Sequence, residues 1–143
     1  MTGFVENARF DPDRIVYSED YHNEQHGSVA FRAHMDAMAA VVEATVARDA
    51  RIVEVGCGKG AFFDLLDARG FTDLRGFDTS YAGSDPRIEK RYVTADDRLD
   101  ADLIVLRHTL EHVPSPYALL DLLARASRPD TRIFVEVPCF DWI

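Results

Sequence analysis

Cysteine is scarce in this chain. Its two cysteines, Cys57 and Cys139, are too few for a disulfide framework or a thiolate zinc site, and no spacing of ligand-type residues calls for a metal. Both are expected as free thiols. Long apolar runs are missing too. None approaches the ~20 residues of a membrane-spanning helix, and Met1 to Phe10 lacks the charged start and apolar middle of a secretion signal. A cytoplasmic protein with no membrane partner is expected. Basic charge is in short supply, with 16 Lys and Arg against 25 Asp and Glu and a net charge of −9. The basic residues are scattered, which disfavours a nucleic-acid partner and leaves a small molecule as the expected one. The oligomeric state is not readable here.

At 143 residues with 47 % hydrophobic content, the chain suffices for one globular domain with a real core. Its organising stretch is Arg51 to Phe63. Ile52, Val53 and Val55 form a β-branched run suited to a buried strand, and Gly56, Gly58 and Gly60 follow at alternate positions. Ala61 to Arg69 then reads as a helix. A strand that turns at glycines into a helix presents backbone N–H groups to a ligand, and a Cβ there would bar its close approach. Lys59 is followed by Gly60 where a triphosphate loop needs Ser or Thr, which excludes that class. The spacing fits both a GxGxG turn and the relaxed dinucleotide fingerprint, so a nicotinamide cofactor stays open. Glu54, two residues before Gly56, tilts the choice towards S-adenosylmethionine, because a carboxylate suits a cationic amino-acid tail better than a pyrophosphate.

Residues 1–27 are polar and irregular, and the cluster Tyr17, Tyr21, His22, Gln25 and His26 reads as an arm or lid; residues 28–143 form the cofactor-binding domain. Ser28 caps a helix from Val29 to Arg48, with Met35 and Met38 as core filler. Asp73 to Phe77 is a second strand ending at Asp78, where one carboxylate can hold a ribose diol; Thr79 adjoins it. A short third strand is expected within Arg87 to Val93, with Tyr92 and Val93 its chief members. Asp96 or Asp97 after it is a candidate for the adenine amine. Ala101 to Leu106 is a buried fourth strand, and Arg107 to Pro116 runs along the open edge of the pocket. A helix capped by Ser115 buries Tyr117, Leu119, Leu120, Leu122 and Leu123, and Thr131 to Val137 is the fifth strand. The fold expected is α/β: a three-layer Rossmann-like sandwich with five parallel strands in the order 3-2-1-4-5 and its crevice between strands 1 and 4.

Glu54 to Gly60, Asp78 and Arg107-His-Thr-Leu-Glu-His-Val-Pro-Ser-Pro116 together resemble the class I, Rossmann-type S-adenosylmethionine-dependent methyltransferases. The stretch from Tyr17 to His26 and the closing Val135 to Ile143 are similar, more specifically, to the sugar C-methyltransferase type. The resemblance implies that Glu54 and the glycines hold the methionine part, Asp78 the ribose and Asp96 or Asp97 the adenine. Tyr17, Tyr21 and Gln25 would belong to the lid, and Cys57, Thr79 and Arg107 complete the expected cofactor contacts. It further implies a small-molecule acceptor, nucleotide-linked sugars being the class it points to. The zinc module and C-terminal region of that type, and the last two strands of the class I fold, have no counterpart in the sequence. A fragment or a shortened, truncated methyltransferase fold is therefore expected.

Methyl transfer needs alignment of acceptor, methyl and sulfur, plus a base where the acceptor loses a proton. His108, Glu111 and His112 are the catalytic candidates, set against a purely structural role in bonding the loop. Two other readings are a nicotinamide-dependent oxidoreductase or epimerase, for which the TyrxxxLys pair is missing, and a cofactor-binding but inactive domain.

Overall fold

The structure, a computed structural model, describes residues 28–139 together with Arg9 and Asp11. The expected lid residues Tyr17, Tyr21, His22, Gln25 and His26 lie outside the described residues, as do positions 140–143. In chain order the elements are α1 (Val29–Thr45), β1 (Arg51–Val55), α2 (Ala61–Ala68), β2 (Asp73–Phe77), β3 (Ile88–Glu89), β4 (Leu103–Arg107), α3 (Pro116–Ala126) and β5 (Arg132–Glu136). A single 3₁₀ turn, Leu110–His112, precedes α3. The five strands form one parallel sheet in the order β3-β2-β1-β4-β5, the Rossmann-like arrangement expected.

Alternation along β1 divides the core. Ile52 faces Phe63 and Leu66 of α2 and Ala39 and Val42 of α1, whereas Val53 and Val55 face Leu123 of α3 and Leu99. Helices thus cover both faces of the sheet, which explains why β1 and β4 are almost continuously apolar. Glu54 shares the face of Ile52 and is buried nonetheless. Among the described residues no helix is long and apolar enough to cross a membrane.

Five expectations are corrected. The third strand is only Ile88–Glu89; Tyr92 and Val93 lie beyond it. Ile88 pairs beside Gly76, where an added Cβ would sit 2.9 Å from its side chain, so the missing side chain of β2 seats β3. Arg107 ends β4 rather than opening the loop. Ser115 occupies the cap position of α3 without a side-chain hydrogen bond, and of the apolar residues expected inside, Tyr117 is exposed and only Leu123 is fully buried. Helix α1 stops at Thr45, whose hydroxyl turns back to the Val41 carbonyl. The expected cap at its other end is present, Ser28 Oγ accepting from Phe31 N at 3.4 Å.

Candidate functional site

The carboxyl ends of β1, β2 and β4 open into a cavity of about 430 Å³, walled on its outer side by Phe31 and Met35 of α1. The glycine loop forms its floor. Gly56 N donates to Phe77 O at 2.8 Å, which ties the end of β1 to β2. Thr109 packs so closely on Gly56 that a Cβ would lie 2.1 Å from its Oγ1. Gly58, at φ +57°, differs: nothing lies within 4 Å of where its Cβ would be, so bare backbone faces open cavity.

Asp78, at the tip of β2, lines the cavity and also braces the loop. Its Oδ2 accepts from Gly58 N at 2.7 Å, and its Oδ1 accepts from Ser80 N and Oγ at 2.7 and 2.6 Å. Thr79 and Cys57 line the cavity beside it, whereas Gly60 caps α2 from outside the lining. Burial pushes the Cys57 thiol up, so it stays a neutral packing group.

Glu54 and Arg107 supply the charge. Glu54 lines the cavity, and its Oε2 is buried with no hydrogen-bond partner. Burial pushes its pKa up to about 7; the nearby Arg107 opposes that shift and the Asp78 and Asp64 carboxylates add to it. Arg107 stacks on Phe62 at 4.2 Å, donates through Nε to Glu136 Oε2 at 2.5 Å, and leaves Nη2 buried and unpartnered. An acid and a base with unanswered buried atoms in one cavity together match a zwitterion.

The adenine candidates stand apart from this cavity. Asp97 accepts from Arg91 at 2.7 and 2.8 Å and from Thr94 N and Oγ1 at 2.7 and 3.0 Å, and the Arg91 hydrogen bonds hold its pKa well below the usual range. Asp96 is exposed, and neither lines the cavity. Arg91, Tyr92 and Val93 form that wall instead.

His108 and His112 line the cavity, and Glu111 sits behind them. Glu111 Oε1 lies 3.7 Å from His108 Nδ1 and 3.9 Å from His112 Nε2, and its Oε2 is buried without a partner. His108 adopts φ +49°, a left-handed conformation that costs a residue with a Cβ roughly 1–2 kcal/mol. Sequence reasoning missed Glu136, which accepts from Arg107 and also lies against His34 and His108. Burial raises the pKa of Glu136, but hydrogen bonds from Arg107 and His34 outweigh this and hold it below the ordinary value. No spacing could have linked positions 34, 108 and 136. The only available signal was the expected end of the fifth strand beside the fourth.

A family model described as "Methyltransferase domain" matches residues 29–142. Two curated relatives are ubiquinone biosynthesis O-methyltransferases from Neisseria meningitidis, of serogroup C and of serogroup A / serotype 4A. Each is 25 % identical, over 103 and 100 residues, covering 61 % and 59 % of this chain and 43 % and 42 % of their own. The chain thus spans less than half the length of these relatives. A solved structure from Methanococcus maripaludis, provisionally named an S-adenosyl-L-methionine-dependent methyltransferase, superposes with a TM-score of 0.67 at 16 % identity. The match covers 93 % of this chain and 67 % of that one, a likeness of fold.

Proposed function

The chain belongs to the methyltransferase-domain family over residues 29–142, and from that premise we propose that it binds S-adenosyl-L-methionine and transfers its methyl group to a small, oxygen-bearing acceptor. The observation that carries the reading is the buried pair Glu54 and Arg107 in one cavity, each with an unpartnered polar atom. An ammonium answers the first and a carboxylate the second, and an amino-acid tail brings both. Bare backbone at Gly58 leaves room for the ligand, and Asp78 presents a carboxylate on the same wall. The residues present therefore fit the cofactor.

When bound, the cofactor would supply a methyl carbon activated by a sulfonium, with a neutral thioether as the leaving group. The protein's share is alignment and proton removal. His112, on the cavity wall with Glu111 3.9 Å behind it, is the group we assign to receive the acceptor's proton. Phe31 and Met35 exclude water from the outer side. Tyr92 and Val93, rather than Asp96 or Asp97, are the residues we assign to the adenine ring. One line supports an acceptor bearing oxygen: the curated relatives are named for O-methyl transfer. The ends of the sequence resemble the sugar C-methyltransferase type, which makes a nucleotide-linked sugar the specific candidate without choosing the methylated atom.

Thermal unfolding with S-adenosylhomocysteine, and in parallel with NAD, tests the cofactor. Ligand at one hundred times its dissociation constant adds about 2.7 kcal/mol, a rise in Tm on the order of 10 °C for a domain of this size. A shift with NAD alone overturns the reading. A shift with the thioether but no turnover on any acceptor replaces it with a binding domain that does not catalyse.

A further inference from the structure

We propose that His34, His108 and Glu136 form a binding site for one divalent transition-metal ion of the zinc type at the rim of the cofactor cavity. Three elements far apart in sequence bring these groups together. His34 comes from α1, His108 from the residue after β4, and Glu136 from the last position of β5. His34 Nε2 lies 2.5 Å and His108 Nε2 3.1 Å from the same oxygen, Glu136 Oε1, and the three atoms all lie within 4.8 Å of one another. Two imidazole nitrogens and a carboxylate oxygen around zinc sit at ~2.0–2.2 Å from the ion, so roughly 3.4 Å from one another in a tetrahedron. Small side-chain adjustments reach that spacing.

Hydrogen bonding alone does not account for the cluster. His108 Nε2 is buried and has no hydrogen-bond partner although Glu136 Oε1 is 3.1 Å away, so the cluster leaves one buried ring nitrogen unanswered. The strained backbone at His108 holds the ring there. The surroundings are those of a ligand set. Arg107 Nε occupies Glu136 Oε2 and leaves Oε1 as a single donor oxygen, while Glu111 Oε1 stands 3.7 Å from the other ring nitrogen of His108. The side chain of His34 is half exposed, which gives an ion a way in. Two nitrogens and one oxygen suit Zn²⁺ or Co²⁺ better than Mg²⁺ or Ca²⁺.

The consequence rests on the proposed function. Because His108 also lines the cavity, the ion's open coordination positions would meet the acceptor there. It would hold an acceptor oxygen and lower its pKa, so that the hydroxyl proton leaves to His112 or water before the oxygen takes the methyl group. The cluster would then specify acceptors that offer oxygen.

Metal and cofactor binding are measured separately on the same samples of tag-free, chelator-treated full chain. Zn²⁺ is titrated by calorimetry and Co²⁺ by visible absorption; S-adenosylhomocysteine is followed by thermal shift. The wild-type chain is expected to bind one Zn²⁺ and to show the intense bands of four- or five-coordinate Co²⁺. His34→Ala, His108→Ala and Glu136→Gln should each weaken Zn²⁺ by at least the 10- to 100-fold that loss of an outer-shell partner costs. His112→Ala should bind Zn²⁺ as the wild type does. His34→Ala changes a half-exposed residue and should keep its thioether shift, which certifies its fold if Glu136→Gln is unstable. No saturable Zn²⁺ binding, or equal binding by wild type and His34→Ala, overturns the metal site. Either result with the thioether shift intact leaves the cofactor reading standing, and loss of the shift in the wild type defeats that reading instead.

Discussion

Glu54 carries an internal conflict that a measurement can expose. Its carboxyl is buried beside Asp78, and desolvation raises its folded pKa to about 7, above the ~4.3 of an unfolded glutamate. A raised folded pKa means that the native state holds the proton more tightly. The stabilisation is therefore complete below pH ~4.3 and is lost as pH climbs through about 7. Above that pH the ligand-free protein keeps a buried negative charge at a cost of up to roughly 4 kcal/mol. Glu54→Gln removes the charge. Urea unfolding of the unliganded variant should show greater stability than wild type at pH 8 and little difference at pH 4.5, while thermal protection by S-adenosylhomocysteine falls sharply. A variant no more stable than wild type at pH 8 would mean that Glu54 is compensated without ligand.

Between elements, the β4–β5 ladder shows that a sheet position is worth what covers it. Ile104 and Ile133 pair in register, yet Ile104 is fully buried against the α3 face and Ile133 is 39 % exposed on the outermost strand. Ile104→Ala should cost ~2–5 kcal/mol through lost burial and a cavity, and Ile133→Ala about 1 kcal/mol or less. Equal losses in urea midpoints would show that β5 is covered in solution. The same contrast explains what the sequence disclosed. The glycine turn and local residue patterns placed β1, β2, β4 and β5 within two residues. Strands β1 and β4, buried on both faces, leave an apolar signature that needs no partner to interpret, whereas β5 shows through its β-branched propensity although most of it is exposed. Strand β3 left none: two residues seated against Gly76 are a tertiary event, and Tyr92-Val93 carried the stronger local propensity. The site divided likewise. Glu54, Gly58 and Asp78 were legible because they stand at fixed offsets from one turn. Phe31, Met35 and Glu136 reach the cavity and its rim through packing of α1 and β5, and a helix face that lines a cavity reads the same as one that fills a core.

For the molecule as a whole, the proposed seating of the cofactor's ammonium on Glu54 couples fold and ligand through one proton. With the Glu54 pKa at about 7, the empty cavity is part protonated at neutral pH, and a cationic tail is accepted well only by the ionised carboxylate. Binding must then expel the proton. Affinity for S-adenosylhomocysteine should approach a tenfold fall per pH unit well below 7, so roughly 50-fold from pH 7 to 5, and level off above pH 8. At pH 7 calorimetry in buffers of different ionisation enthalpy should detect release of about half a proton per ligand. Acidic pH thus favours the empty protein and neutral pH the occupied one, so thermal protection by ligand should grow as the intrinsic stability of the free protein declines. Glu54→Gln separates the two effects, since without that carboxyl the pH dependence of affinity between 5 and 8 should flatten. A wild-type affinity that does not change between pH 5 and 8, with no proton released, would assign recognition of the tail to backbone and Arg107 alone.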